Sequence, residues 1–363
     1  MSLLKRRAAQ NRLARKFRHF YIFKLHLAMA WRCWRSLGTP GRAAAAAAAA
    51  SLGVSIAPER RPPIPPGSQR WPAAPLPVSL PATRCEEAPR LRCGTLKLSD
   101  GRLLAYHEEG HGVPVFAFHG MGSSRLTWLG PRPLAEVCPG VRLIAVDRPG
   151  YGGSSPPPFG YSYSAFVRDL AELADHLRLP RFCVAGHSSG GPYALAAAAE
   201  LPGRVASAAA ISSDAPYSHP QAPLELRQAD PFSDRATLSS MGLYGRDVAD
   251  FAEAMRSSSL KTHNPVKAHA WKSGVDGWIC DFSLERLPWS FVLEDIPLGP
   301  RLSIWVGGED IEAIIIGAPF LQQLVSGAQL RVVPGGDHGF KSRPEHLAAI
   351  LNELRAQWES TAH

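Results

Sequence analysis

Three short stretches carry side chains that could do covalent chemistry together: Gly186-His187-Ser188-Ser189-Gly190, Gly307-Gly308-Glu309-Asp310 and Gly336-Asp337-His338-Gly339. A serine hydroxyl is a weak nucleophile until a base takes its proton. The base works best when a carboxylate orients it and stabilises its cation. The stretches supply serine, acid and histidine in that chain order. Ser188 sits in a G-x-S-x-G pattern, with a strand-like run (Phe182–Ala185) before it and a helix-like run (Pro192–Leu201) after it. Such a sharp strand-to-helix turn leaves a hydroxyl exposed, and glycines two residues either side remove the Cβ atoms that would collide. The following helix start adds backbone N–H groups and a partial positive charge near a developing anion. An ordinary glycine-rich turn is the plainer reading; the flanking elements argue against it.

The chain has thirteen histidines. His338 stands out because it follows the last strand-like run directly and has small residues on both sides. His107, His111, His176, His219, His263, His269 and His346 read as surface or insertion residues. Asp310 is the first choice of acid, at the end of the run Leu302–Val306. Its neighbour Glu309 is a rival, since a slip of one residue exchanges them, and Asp214 is a more distant one. Acyl transfer also needs donors for an oxyanion, each worth roughly 10²–10³ in rate. The backbone N–H of Ser189 is one candidate. Met121, in His119-Gly120-Met121-Gly122, is the other, with His119 bracing that loop.

These residues need a scaffold. Strand-like runs occur at Gly94–Lys97, Leu103–His107, Val113–Phe118, Val141–Asp147, Phe182–Gly186, Val205–Ile211, Leu302–Val306 and Leu330–Val333. Several are continuous apolar runs, as expected for strands covered on both faces. Amphipathic helices alternate with them: Phe166, Leu170, Leu173 and Leu177 form one stripe, and Leu347, Ile350, Leu351, Leu354 and Trp358 another behind Pro344. The alternation predicts an α/β domain with a mostly parallel eight-stranded sheet. It predicts a core over residues 91–212 and 300–358, interrupted by a helical lid over 213–299 between the sixth and seventh strands. An insertion there would cover the C-terminal strand ends, where such sheets bind ligands. Its residues Tyr244, Phe251, Met255, Trp271, Trp278 and Trp289 suggest a small, apolar substrate, with Trp271 and Trp289 as candidate contacts, although each could simply pack the lid.

The chain of 363 residues has a formal charge of +9, but residues 1–58 hold eleven Lys or Arg and no Asp or Glu, leaving the rest at −2. The folded part is thus nearly neutral and makes no case for nucleic-acid binding. Residues 1–90 also contain the alanine tract Ala43–Ala50 and nine prolines between Pro58 and Pro81. This composition fits a basic targeting extension for a plastid or mitochondrion, the alternative being a disordered tail on a cytoplasmic protein. The apolar run Phe20–Ala30 is too short to span a bilayer. The six cysteines lack metal-binding spacing. Cys85 and Cys93 could pair under oxidising conditions, and a reducing compartment is the default reading.

Over about Gly94–Trp358 these motifs together resemble the α/β-hydrolase superfamily, in its lid-bearing branch of esterase, peroxidase-like and iminopeptidase-like enzymes. The matching stretches are Phe118-His119-Gly120, Asp147-Arg148-Pro149-Gly150-Tyr151-Gly152-Gly153-Ser154, the Ser188 motif through Tyr193, Pro288-Trp289-Ser290-Phe291, Trp305 to Asp310, and Gly336-Asp337-His338. The resemblance implies Ser188 as nucleophile, Asp310 as acid and His338 as base of a serine esterase without metal or organic cofactor. It implies a structural turn at Asp147–Gly150, whose glycines do not have dinucleotide-loop spacing. The run Ile311-Glu312-Ala313-Ile314-Ile315-Ile316 departs from the family pattern. The alternative is a non-catalytic small-molecule-binding protein on the same scaffold.

Overall fold

A computed structural model describes residues 91–130, 132–229, 248–261 and 264–361. The proposed N-terminal extension, and Tyr244 in the insertion, lie outside the described residues. The strands are β1 (Leu91–Lys97), β2 (Leu103–Gly110), β3 (Val113–Phe118), β4 (Val141–Val146), β5 (Phe182–His187), β6 (Val205–Ile211), β7 (Leu302–Gly307) and β8 (Gln329–Val333). They form one eight-stranded sheet in the order β1-β2-β4-β3-β5-β6-β7-β8. β1, β2 and β4 pair antiparallel, and every other neighbouring pair is parallel. Each expected strand is present. Cys93, on β1, is disulfide-bonded.

The helices of the described residues are α1 (Leu134–Val137), α2 (Tyr163–His176), α3 (Gly191–Glu200), α4 (Leu224–Ala229), α5 (Val248–Lys261), α6 (Pro265–Ala270), α7 (Asp276–Arg286), α8 (Glu312–Leu324) and α9 (Pro344–Glu359). The two-residue period of the strands sends side chains into two cores. Phe116, Phe118, Ile144, Val146 and Val184 meet Phe166 and Leu170 of α2, Tyr193 of α3 and Leu321 of α8. Val115, Ala117, Leu143, Ala145 and Ala185 meet Leu134 of α1 and Leu347, Ile350 and Leu354 of α9. The sheet is therefore covered on both sides, which explains its unbroken apolar strands. Four of the helices, α4 to α7, lie in the segment between β6 and β7.

Candidate active site

β5 sits in the middle of the sheet, and a single 3-10 turn, Ser188–Gly190, separates it from α3. Ser188 has φ of +55°, a left-handed conformation that costs a non-glycine residue about 1–2 kcal/mol. The close return of α3 imposes it. A Cβ at Gly186 would lie 2.1 Å from the Gly190 carbonyl oxygen, and one at Gly190 would lie 2.4 Å from that of Phe118. A Cβ at Gly191 would lie 2.0 Å from Ser213 Oγ. Only glycine lets strand, turn and helix approach this closely. The strained turn lifts Ser188 above the C-terminal edge of the sheet.

His338 comes from the loop after β8, and its Nε2 lies 3.0 Å from Ser188 Oγ. Its Nδ1 lies 2.7 Å from Asp310 Oδ1. A carboxylate accepts, so Nδ1 carries the proton and Nε2 is left free to take one from the serine. Asp310 occupies the loop after β7, which is zipped to the histidine loop. The N–H of Gly308 donates to Val333 O at 2.8 Å, and that of Glu309 to Gly336 O at 2.8 Å. A Cβ at Gly307 would meet Gly336 O at 2.2 Å, so this union too depends on glycine. Of the three rival acids, the structure brings Asp310 to the histidine. Glu309 is exposed, and Asp214 lies elsewhere on the cavity wall.

Asp310 is held by more than His338. Ser212, at the end of β6, donates its hydroxyl to Oδ2 at 2.6 Å, and the Ile311 N–H donates to Oδ1 at 2.8 Å. Burial pushes the Asp310 carboxyl up, but the bonds from His338, Ser212 and Ile311 outweigh it and hold the group below its ordinary value. His187 steadies the histidine loop. Its Nε2 lies 2.8 Å from the His338 carbonyl oxygen, which can only accept, so that nitrogen is protonated. Burial, then the charges of Lys341 and His338, push its pKa well down and keep the ring neutral. The adjacent histidine thus does not reach the serine; it braces the one that does.

The loop after β3 passes close to the nucleophile, and a Cβ at Gly120 would lie 3.0 Å from Ser188 Cβ. His119 is fully buried. It donates from Nδ1 to Gly120 O at 2.8 Å and accepts the Arg148 N–H on Nε2 at 3.1 Å. Burial pushes it down to about 3, so it braces this loop as a neutral ring. Met121, Ser188, Ser189 and His338 share the wall of a cavity of about 220 Å³. Its remaining walls are Tyr217, Met255, Trp278, Ile311, Ala313 and Ile314, with two carboxyls, Asp214 and Glu285. Trp271 and Trp289 are not among them. Trp271 packs with Tyr151, Ala270 and Trp278, while Trp289 stacks on Phe291 at 5.3 Å between ring centres. Apolar neighbours thus surround both rings, and neither lines this cavity.

Sequence reading missed Ser212, His187 as a brace, and the Asp214–Glu285 pair. A serine directly after a strand is one signal that points to Ser212. Glu285 had none, because its place depends on how α7 docks.

Residues 115–349 match the model of the alpha/beta hydrolase family. The chain belongs to that family. Among curated α/β-hydrolase relatives, a bifunctional epoxide hydrolase 2 from Sus scrofa is 32% identical over 43% of this chain and 28% of its own. A non-heme chloroperoxidase from Streptomyces lividans is 36% identical over 34% of this chain and 45% of its own. The chain thus spans less than half the length of these two relatives. A non-heme haloperoxidase from Rhodococcus erythropolis is 28% identical over 66% of this chain and 91% of its own. Among solved α/β-hydrolase folds, a bromoperoxidase from Bacillus anthracis superimposes with a TM-score of 0.57 at 20% identity, over 73% of this chain and 100% of its own. A thermophilic esterase from Thermogutta terrifontis gives a TM-score of 0.54 at 22% identity, over 73% and 99%.

Proposed function

We propose that the protein is a serine hydrolase that cleaves an ester or related acyl bond of a small molecule through an acyl-enzyme. The observation that carries this reading is the hydrogen-bond chain from Ser188 through His338 to Asp310, at the wall of a cavity. Ser188 Oγ attacks the carbonyl carbon as its proton passes to His338 Nε2. Asp310 stabilises the imidazolium and holds its tautomer. The backbone N–H groups of Met121 and Ser189 receive the oxyanion. As the tetrahedral intermediate collapses, His338 returns the proton to the leaving group, and the acyl group stays on Ser188. Water then repeats the cycle, giving the acid and free serine. The helices between β6 and β7 act as the lid over this cavity, with Met255 and Trp278 contributing apolar wall. Serine at the nucleophile position sets the chain apart from hydrolases that attack through an aspartate.

A fluorophosphonate probe tests the reading. Wild-type protein should label, and Ser188→Ala and His338→Ala should not. An unlabelled wild type would leave a ligand-binding protein on a hydrolase scaffold, and labelling that persists in Ser188→Ala would move the nucleophile elsewhere. A panel of 4-nitrophenyl esters of graded chain length would then define the acyl group. The acid-free composition of residues 1–58 supports an organellar targeting role for the extension. Fusing residues 1–90 to a fluorescent protein tests it, and a diffuse cytosolic signal would refute it.

A further inference from the structure

The chemistry above uses one carboxyl, yet the same cavity holds two others. Asp214 follows β6 and Glu285 lies in the last turn of α7; both line the cavity beside Ser188 and Ser189. Glu285 is only 3% exposed, and its Oε1 has no hydrogen-bond partner among the described residues. A buried polar atom without a partner is costly, and a ligand that satisfies it recovers that cost.

The neighbours of the pair narrow the ligand. The Tyr217 hydroxyl donates to Asp214 Oδ1 at 2.8 Å. The Ser189 hydroxyl adjoins both carboxyls, and His338 faces Asp214. Arg286 Nη1 lies 3.4 Å from Glu285 Oε2. That guanidinium is also committed to the Phe282 carbonyl at 2.9 Å and lies 3.9 Å over the Phe282 ring. Among the described residues one guanidinium thus faces two carboxyls, next to an oxygen that has no partner. Burial pushes the Asp214 carboxyl up in spite of Tyr217. Burial, and then the charge on Asp214, push Glu285 well above its ordinary value.

We propose that Asp214 and Glu285 form a cation subsite, so that the preferred substrate carries a primary ammonium group held against the Glu285 Oε1 atom. This rests on the serine-hydrolase reading for the word substrate, but not for the binding itself. The apolar walls from Met121, Met255, Trp278 and Ile314 would hold the hydrocarbon that links the ammonium to the scissile bond. The substrate would then be an aminoacyl-type ester or amide in place of the purely apolar one suggested by the aromatic residues of the insertion.

Calorimetry with n-butylammonium and with butan-1-ol separates charge from shape, because the two differ only in the head group. Wild-type protein should bind the ammonium at least about tenfold more tightly, as expected for a hydrogen bond to a charged group. In Glu285→Gln, and in Asp214→Asn as an independent variant, that ratio should fall to within about threefold of one. Equal binding of the two compounds by wild type would overturn the subsite, as would a ratio that survives both substitutions. Fluorophosphonate labelling of the same samples reads the hydrolase separately. Labelled protein without ammonium preference overturns the subsite alone. Unlabelled protein that prefers the ammonium supports the subsite and overturns the hydrolase reading.

Discussion

Lys341 gives a test of how tightly the histidine loop is packed. It lies in the 3-10 turn Phe340–Ser342, three residues after His338, and is only 2% exposed. Its Nζ donates to the Thr127 carbonyl at 3.1 Å and stands 4.4 Å from the centre of the Trp128 ring. It therefore pins the loop that carries His338 to the 3-10 turn Arg125–Trp128, which follows the Met121 loop. Burial pushes this amine down to about 7. The unfolded chain keeps the proton up to the ordinary value of 10.5, whereas the folded chain releases it from about 7. Between those values the unfolded state binds more protons, so stability rises with pH. Below the folded value the full cost of burying the charge is present. With about 1.4 kcal/mol per pKa unit, stability should gain about 2–3 kcal/mol between about pH 6 and about pH 9. For a domain of this size that is about 5–10 °C in Tm. Lys341→Met removes this gain, so the stability of the variant relative to the wild type should fall by about 2–3 kcal/mol between about pH 6 and about pH 9. Urea unfolding of both proteins at the two pH values measures it, and shared titrations cancel in the difference. A stability difference that is the same at both pH values would refute the reasoning. It would mean that Thr127 and Trp128 compensate the charge fully.

Asp310→Asn should lower kcat by about 10³–10⁴, while Glu309→Gln stays within about threefold of wild type; similar losses in ester kinetics would displace Asp310 as the acid. Ser212→Ala deletes the 2.6 Å bond to Asp310 and should cost about tenfold in kcat/KM, and an unchanged value would show that the remaining bonds hold the carboxylate alone. Gly190→Ala places a Cβ 2.4 Å from the Phe118 carbonyl oxygen, where backbone must move. It should destabilise by about 1–3 kcal/mol and abolish fluorophosphonate labelling, and a fully labelled, stable variant would contradict the close packing of the turn.

The strands and the Ser188 turn were legible because their causes are local. Doubly covered strands must be apolar along their length, and a left-handed serine wedged between β5 and α3 must have glycines around it. His338 and Asp310 could be read for a similar reason, since the glycines at positions 307, 308, 335, 336 and 339 mark where two loops touch. α8 was obscured by its composition. The β-branched run Ile314–Ile316 disfavours a helix locally, yet Ala313, Ile314, Gly317, Ala318, Phe320 and Leu321 are all buried on one side of it. Gly317 is required there, because a Cβ would lie 2.8 Å from that of Ala215. Tertiary packing overrides propensity in such a case. Among the aromatic residues of the insertion only some reach the cavity: Trp278 lines it, whereas Trp271 and Trp289 do not. Trp271 and Trp289 looked like substrate contacts by type, but a large apolar ring is as readily used to bury the insertion against the core.

What the sequence could not convey about the insertion is a division of labour along a single helix face. Asp281 and Glu285 are four residues apart in α7 and so lie one turn apart on the same side. Asp281 accepts hydrogen bonds from Arg148, from the Tyr151 hydroxyl at 2.6 Å and from the Tyr193 hydroxyl at 2.8 Å. Arg148 also lies 4.5 Å from the centre of the Tyr193 ring. Tyr193 belongs to α3, the helix that starts at the nucleophile turn, and Arg148 donates to the His119 carbonyl at 2.9 Å. The carboxylate of Asp281 therefore ties α7 to both backbone segments that surround Ser188. Breaking such a buried pair by Asp281→Asn leaves Arg148 uncompensated, at a cost of about 3–5 kcal/mol. One turn on, the same rigid helix presents Glu285 to the cavity with an oxygen that nothing in the described fold satisfies. The first carboxyl is neutralised by the protein and fixes position. The second, one turn on, shares the cavity wall with Ser188, and the proposed ammonium group would complete it.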